Sequence, residues 1–269
     1  MKYALVTGAS GGLGSACVRL LADAGWMVFS SDLVEPSPEV AATPGVCQLV
    51  MDVTSQGSVD EAVEVIKQTT GVLDAVINFA GVQAMASMIE GDITATMQHM
   101  IDVNLMGMVR VNRAVFDMLV PGRGRIINCS SECGYLKAQP FNGPYTVSKY
   151  AVEAYTDSLR REVGGLGVKV IKIQPGSFKT GMHAKTLSSF EQLLASTHHF
   201  KKALTKMQPL MSRELEHAND PVILSKVVLK AAESQRPNSN YRVKNSGLLR
   251  LLELVPDGLI DVMYKSMMK

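Results

Sequence analysis

The sequence has no excess of charge of either sign. Its formal net charge is +2, from 27 Lys and Arg against 25 Asp and Glu, which supplies no long-range attraction for nucleic acid or for an anionic membrane. It has no apolar run near the ~18 residues of a membrane span. No secretory leader is expected, because Met1-Lys2-Tyr3-Ala4-Leu5-Val6 runs straight into a glycine-rich turn and reads as folded sequence. Cysteine is sparse. Of Cys17, Cys47, Cys129 and Cys133, only the last two are close, and no histidine stands near them at metal-ligand spacing. Reduced structural thiols are therefore expected, with no metal site. Repeats, low-complexity tracts and linkers that would split the chain are also missing. What remains is the expectation of a soluble cytoplasmic protein, with 269 residues forming a single domain over 1–269 around a large core.

What is present is a rhythm of strand and helix. Hydrophobic residues are 46% and charged residues 19%, ordinary for a folded α/β chain. Short apolar strands are expected at Tyr3–Val6, Met27–Ser31, Val46–Met51, Leu73–Phe79, Arg125–Cys129, Val168–Ile173 and Tyr241–Val243. Between them the 3.6-residue periodicity predicts helices over Gly12–Ala24, Ser55 to about Gln68, Ala95–Leu119, Tyr145–Val163 and Pro221–Glu233. Alternation of this kind implies parallel βαβ units with right-handed crossovers, hence a doubly wound parallel sheet of about seven strands with helices on both faces. The stretch at about 177–213 breaks the rhythm and reads as a mobile substrate-loop insertion. Leu248–Val255 and Leu259–Met268 read as packed helices.

The loop Thr7-Gly8-Ala9-Ser10-Gly11-Gly12-Leu13-Gly14 lies between the first strand and the first helix. Its glycines permit a sharp turn and a close backbone approach, and the helix start offers unpaired N–H groups to a pyrophosphate. A plain tight turn would explain the glycines alone; their place after an N-terminal strand favours a Rossmann-type dinucleotide site. Asp32 ends the second strand, where a carboxylate accepts hydrogen bonds from the adenosine ribose and repels the extra phosphate of NADP. No Lys or Arg in the glycine loop offsets it, so NAD is the expected cofactor.

With these motifs the sequence resembles the short-chain dehydrogenase/reductase family over roughly residues 1–180, nearest its hydroxysteroid and retinol dehydrogenase-like branch. Thr7–Gly14 fits the family's TGxxxGxG loop. Asp52, followed by Val53, matches the acid that holds the adenine amino group. Asn78-Phe79-Ala80-Gly81 resembles the NNAG motif, with Phe79 in place of the second Asn. Asn104, Ser131, Tyr145 and Lys149 match the catalytic tetrad, the last two as YxxxK. Pro175-Gly176-Ser177-Phe178-Lys179-Thr180 matches the PGxxxT loop around the nicotinamide. The resemblance implies that Gly8, Ser10, Gly11, Gly12, Leu13, Gly14, Asp32, Asp52, Val53, Asn78, Ala80, Gly81, Tyr145, Lys149, Pro175, Gly176, Phe178 and Thr180 contact NAD.

Such a set suits hydride transfer between an alcohol and a nicotinamide. The phenol of Tyr145 exchanges the hydroxyl proton, and free tyrosine titrates too high for a good base at neutral pH. Lys149, one helical turn on, shares a face with Tyr145 and is expected to lower its pKa. By resemblance Lys149 also holds the nicotinamide ribose, Ser131 orients the substrate oxygen, and Asn104 holds a water beside Lys149. Met85, Met88, Met97, Met100, Met106 and Met108 read as core and pocket lining. His183 is a candidate pocket residue; His198-His199 reads as solvated or as part of the substrate loop, and His99 and His217 lack partner residues in the sequence. The expected substrate is a small lipophilic secondary alcohol or ketone of steroid or retinoid type, and the expected assembly a homodimer or homotetramer through the helices near 95–119 and 145–163. A sugar-nucleotide epimerase or dehydratase and a non-catalytic dinucleotide-sensing module remain alternative readings.

Overall fold

A computed structural model describes residues 1–34, 42–216 and 218–268; His217 lies outside them. Seven strands form one sheet: β1 (Lys2–Thr7), β2 (Trp26–Asp32), β3 (Val46–Val50), β4 (Ala75–Asn78), β5 (Arg125–Cys129), β6 (Lys169–Pro175) and β7 (Asn240–Val243). Their spatial order is β3-β2-β1-β4-β5-β6-β7, and every pairing is parallel. The chain runs outward from β1 to β3, then crosses back so that β4 lies on the other side of β1. That reversal opens a crevice at the carboxyl ends of β1 and β4, where ligands bind in open α/β sheets.

Both faces of the sheet are buried, which is why the strands lack polar alternation. Ala4, Val6, Val28, Ile77, Ile127 and Ile173 pack on one face against α1 (Gly12–Asp23) and a helix at Pro221–Glu233 (α8 below). Leu5, Phe29, Val76, Ile126 and Val170 pack on the other, under α2 (Gln56–Thr69), the helix Met108–Leu119 and the end of α5 (Gly143–Val163). Ser55 caps α2 by accepting from the Ser58 amide, as its place before the apolar periodicity requires.

The long helical stretch has an internal break. It comprises α3 (Ile93–Ile101), a π-helical turn at Asp102–Gly107, and α4 (Met108–Leu119). Gly107 lies against Val53, where an added Cβ would come within 2.7 Å of its side chain. The stretch at 177–213 contains two helices, α6 (Gly181–Ser196) and α7 (Lys201–Glu216). Phe190 and Leu193 of α6 and Leu204 of α7 form a small apolar core with Met85 and Phe141. After α8 (Pro221–Glu233) and β7 come α9 (Gly247–Leu252) and α10 (Asp257–Met268). No helix among the described residues is long and apolar enough to cross a membrane. Of the methionines read as core, Met85, Met100 and Met108 are buried, whereas Met88 and Met106 are exposed.

Candidate active site

Glycine at two positions of the first loop is dictated by space. Gly8 has φ 65°, and an added Cβ would stand 2.6 Å from the Ala80 backbone nitrogen. At Gly14 a Cβ would meet the Gly8 carbonyl oxygen at 2.1 Å, so the helix start can fold back over the loop only without a side chain there. The first turn of α1 has no side-chain cap and no acidic residue. Its start is open to an anion, and the dipole favours one. Ser10 donates its amide to Asp32 Oδ2 at 2.8 Å, and Leu33 donates to Oδ1 at 2.7 Å. Asp32 thus ties the glycine loop to the end of β2. Asp52 Oδ1 accepts from the Thr54 amide and hydroxyl at 2.8 and 2.7 Å. Uncapped N–H groups, a loop with no room for side chains and a carboxylate at the tip of β2 together form a donor and acceptor set that fits a dinucleotide.

Beside this loop a cleft is lined by Leu13, Phe79, Gly81, Ser131, Tyr145, Lys149, Pro175, Gly176, Phe178 and Thr180. The sequence motifs thus converge on one wall although 167 residues separate Leu13 from Thr180. Thr180 also abuts the glycine loop, since a Cβ on Gly12 would touch its Cγ2 at 2.9 Å.

Tyr145 and Lys149 stand one turn apart near the start of α5, both buried. Lys149 Nζ donates to the Cys129 carbonyl at 3.0 Å and lies 5.6 Å from the centroid of the Tyr145 ring. The expectation that Lys149 lowers the phenol's pKa is corrected here. Burial pushes the Tyr145 phenol up, the neighbouring Cys133 adds to this, and the hydrogen bond with Ser131 opposes it. Burial also pushes the Lys149 ammonium down. Removing both groups from water disfavours both charges, and this outweighs the attraction expected from the i,i+4 spacing.

Ser131 bonds the phenol and is itself held by the Cys133 amide, which donates to Ser131 Oγ at 3.1 Å. Ser130, its neighbour, also lines the cleft; its buried hydroxyl has no hydrogen-bond partner among the described residues, and a Cβ on Gly134 would meet it at 2.6 Å. Asn104 sits in the π-turn and is fully buried. Its Oδ1 accepts from the Val82 amide at 2.7 Å, while Nδ2 donates to the Val82 carbonyl and the Ser148 hydroxyl, each at 2.9 Å. The side chain thereby clamps the loop after β4 to α5. Single π-helical turns are frequent at functional sites.

Two residues read as cofactor contacts have side chains in the core. Asn78 donates to Asn112 Oδ1 at 2.8 Å and to Asn128 Oδ1 at 2.9 Å, in a polar cluster between the sheet and α4. Val53 packs in the apolar core, and Arg110 donates to its carbonyl at 3.3 Å. Only their main chain is available to a ligand.

The remaining wall of the cleft comprises Gln83, Met85, Cys129, Ser130, Glu132, Cys133, Gln139, Pro140, Asn142, Ser177, Met182, His183, Thr186, Met207, Met211 and Leu249. His183 is here as expected, with Nε2 3.3 Å from Ser177 Oγ and its pKa lowered by burial. Sequence reading missed Gln83, Glu132, Gln139 and Asn142; the first two adjoin recognised motifs, which was the available signal. His198 and His199 do not reach the cleft: their amides donate to Glu90 Oε1 at 3.2 and 2.9 Å.

The family model described as short chain dehydrogenase matches residues 2–190. Mouse retinol dehydrogenase 16 is 35% identical over 199 residues, 72% of this chain and 62% of that protein. Human 17-beta-hydroxysteroid dehydrogenase type 6 is 34% identical over 192 residues, 70% of this chain and 60% of that protein. The chain therefore matches only about three fifths of the length of these two. A 3-ketodihydrosphingosine reductase from Bacteroides thetaiotaomicron is 30% identical over 249 residues, 92% of this chain and 89% of the other. Among solved structures, 3-ketoacyl-(acyl-carrier-protein) reductase from Brucella melitensis, complexed with NADH, shares the fold. Its TM-score is 0.74 at 18% identity, over 91% of this chain and 97% of the other.

Proposed function

The chain belongs to the short-chain dehydrogenase family, and from that premise we propose that it is an NAD(H)-dependent oxidoreductase interconverting a secondary alcohol and a ketone. The observation that carries this reading is the convergence of Ser131, Tyr145 and Lys149 on one cleft wall with Leu13, Phe178 and Thr180. When bound, the dinucleotide supplies the hydride acceptor or donor. The start of α1 and the glycine loop would hold its pyrophosphate, Asp32 its adenosine ribose, and Lys149 its nicotinamide ribose. Ser131 positions the substrate oxygen, Tyr145 exchanges a proton with it, and Asn104 keeps the loop above them in place. The methionines and Phe178 favour a lipophilic, steroid- or retinoid-like substrate, with His183 and the amides of Gln83 and Gln139 as its polar contacts. A screen for NADH formation across steroids, retinoids, sugars and simple secondary alcohols tests the reading. Turnover confined to sugars, or none at all despite NADH binding, overturns it.

Asp32 supports NAD over NADP. Both carboxylate oxygens already accept backbone hydrogen bonds, which keeps the charge fixed where a 2′-phosphate would arrive. The expected kcat/KM with NAD exceeds that with NADP by about tenfold or more, equal to ~1.4 kcal/mol of repulsion. Asp32→Ala narrows the ratio. Equal use of both cofactors by the unaltered protein contradicts the assignment.

The direction of the Tyr145 shift sets a pH dependence. A phenol with a raised pKa keeps its proton below that value, so the acid needed for ketone reduction is present throughout the neutral range. The phenolate needed for alcohol oxidation appears only as pH rises. Reduction is expected to be flat from pH ~6 to ~8, and oxidation to climb by up to tenfold per pH unit over that range. Oxidation that peaks below neutrality would contradict this.

The exposed Met106, Val147 and Tyr150 support a homodimer or homotetramer through α3–α4 and α5. The four free cysteines support a reducing, cytoplasmic setting.

A further inference from the structure

Lys172 stands on β6, a strand buried on both faces of the sheet, and is only 5% exposed. Its Nζ lies 2.8 Å from Glu153 Oε2 and 2.8 Å from Asp157 Oδ1. The two carboxylates are one turn apart on α5, and Arg160 meets Asp157 at 2.6 Å nearer the surface. A buried ion pair often stabilises a fold no better than apolar side chains of like volume, because desolvation offsets the attraction. Stability alone therefore does not account for a lysine at this place.

Its position relative to the cleft does. Tyr145, Lys149, Glu153 and Asp157 follow one another along α5, each one turn from the next. The first two line the cleft, so the stripe leads from the cleft to the surface. Glu153 also touches two loops that carry cleft residues. Its Oε1 accepts from Gln174 Nε2 at 2.9 Å, and Gln174 directly precedes Pro175-Gly176. Gly134 sits over it: a Cβ there would come within 3.2 Å of Glu153 Cγ and 2.9 Å of the Lys149 carbonyl oxygen. The loop after β5, which carries Ser131, is thus seated on the turn between Lys149 and Glu153.

Few titratable groups face Lys149 among the described residues. Burial disfavours its ammonium, while Cys129 from β5, Cys133 from the loop after it and Glu153 on its own helix favour it. The Tyr145 ring centroid lies 5.6 Å from Nζ. Glu153 is the one carboxylate in this set. It is faced in turn by Lys172 and Gln174 from β6 and by Tyr135 from the loop after β5.

We propose that Glu153 and Lys172 are positioning residues for the reaction: Glu153 places a fixed negative charge behind Lys149 and seats the Ser131 loop on α5, and Lys172 balances that charge where water cannot. The role in the reaction rests on the proposed oxidoreductase reading; the charge arrangement does not.

The test is an NMR titration of the full chain with ¹³C-labelled lysine and no cofactor, the Lys149 signal being assigned by its loss in Lys149→Met. Glu153→Gln keeps the side-chain shape and leaves Lys172 its bond to Asp157. It is expected to lower the Lys149 midpoint by about half a pH unit or more, since a unit charge one turn away is removed. Lys172→Met is expected to raise the midpoint, because Glu153 then faces Lys149 unbalanced. The double variant Glu153→Gln, Lys172→Met is expected to fall between the two. In ketone reduction with NADH, the alkaline fall in kcat is expected to move the same way in each variant, with KM for the ketone little changed. Circular dichroism checks that each variant is folded, and either single variant suffices if the other is not. A purely structural pair would instead lower Tm in both single variants and leave the Lys149 midpoint in place. An unmoved midpoint, or one that moves in the same direction in both single variants, overturns the proposal. An unaltered protein that reduces no ketone overturns the oxidoreductase reading and the role in the reaction with it, whereas the lysine titration decides the charge arrangement independently.

Discussion

Replacing Tyr145 by Phe is expected to lower turnover by about 10²–10⁴-fold, the usual contribution of a positioned acid or base, while NADH binds as before. The ring is buried, so Phe occupies the same space and only the hydroxyl is lost. Ser131 keeps its bond from the Cys133 amide at 3.1 Å, and Lys149 keeps its bond to the Cys129 carbonyl. The loss therefore reports on proton transfer, not on a collapsed site. Steady-state rates and a fluorescence titration with NADH separate the two quantities. Rates within tenfold of the unaltered protein would remove Tyr145 from the chemistry.

The second large effect is expected at Gly14. Gly14→Ala places a methyl 2.1 Å from the Gly8 carbonyl oxygen and 2.8 Å from the Ala9 Cα. Both neighbours are backbone, so the loop or α1 must move. Such overpacking costs about 1–3 kcal/mol, and the displaced start of α1 no longer meets a pyrophosphate. NADH affinity is expected to fall by about 10²-fold or more, with a lower Tm. Gly181→Ala is the control: nothing lies within 4 Å of a Cβ there, and the better helix former at the start of α6 is expected to be neutral or slightly stabilising. If the two variants bind NADH alike, the glycine loop is not the pyrophosphate cradle.

These expectations rest on different amounts of sequence information. The strand–helix rhythm was legible because apolar runs such as Ala4–Val6 and Ile126–Ile127 are buried on both faces and bounded by glycine or proline. The glycine loop, Asp32, Ser131, Tyr145 and Lys149 were legible as local motifs, and the fold delivers Leu13 of that loop, Ser131, Tyr145 and Lys149 to one cleft. The π-turn at Asp102–Gly107 was not, since six residues of altered bonding leave no periodic mark between two helices of ordinary pattern. Asn104 was found, but its engagement with Val82 and Ser148 depends on how the loop after β4 folds back. The helices α6 and α7 were hidden because their inner faces mix Met, Thr and His that line a cleft with Phe190 and Leu204 that fill a core. The direction of the Tyr145 shift was misread for a related reason. Spacing shows that an ammonium is near, but desolvation depends on residues from β5, α5 and the loop at 132–134. Gln139 and Asn142 come from loops, and nothing local marks them as lining the same space.

A crystal structure of the ternary complex with NADH and a turned-over ketone tests the central claim most directly. The result expected is a ketone oxygen within about 3 Å of both the Tyr145 and Ser131 hydroxyls, its carbon facing the nicotinamide at about 3–3.5 Å. A nicotinamide outside the cleft between Ser131 and Thr180, or a ketone held away from Tyr145, would contradict it.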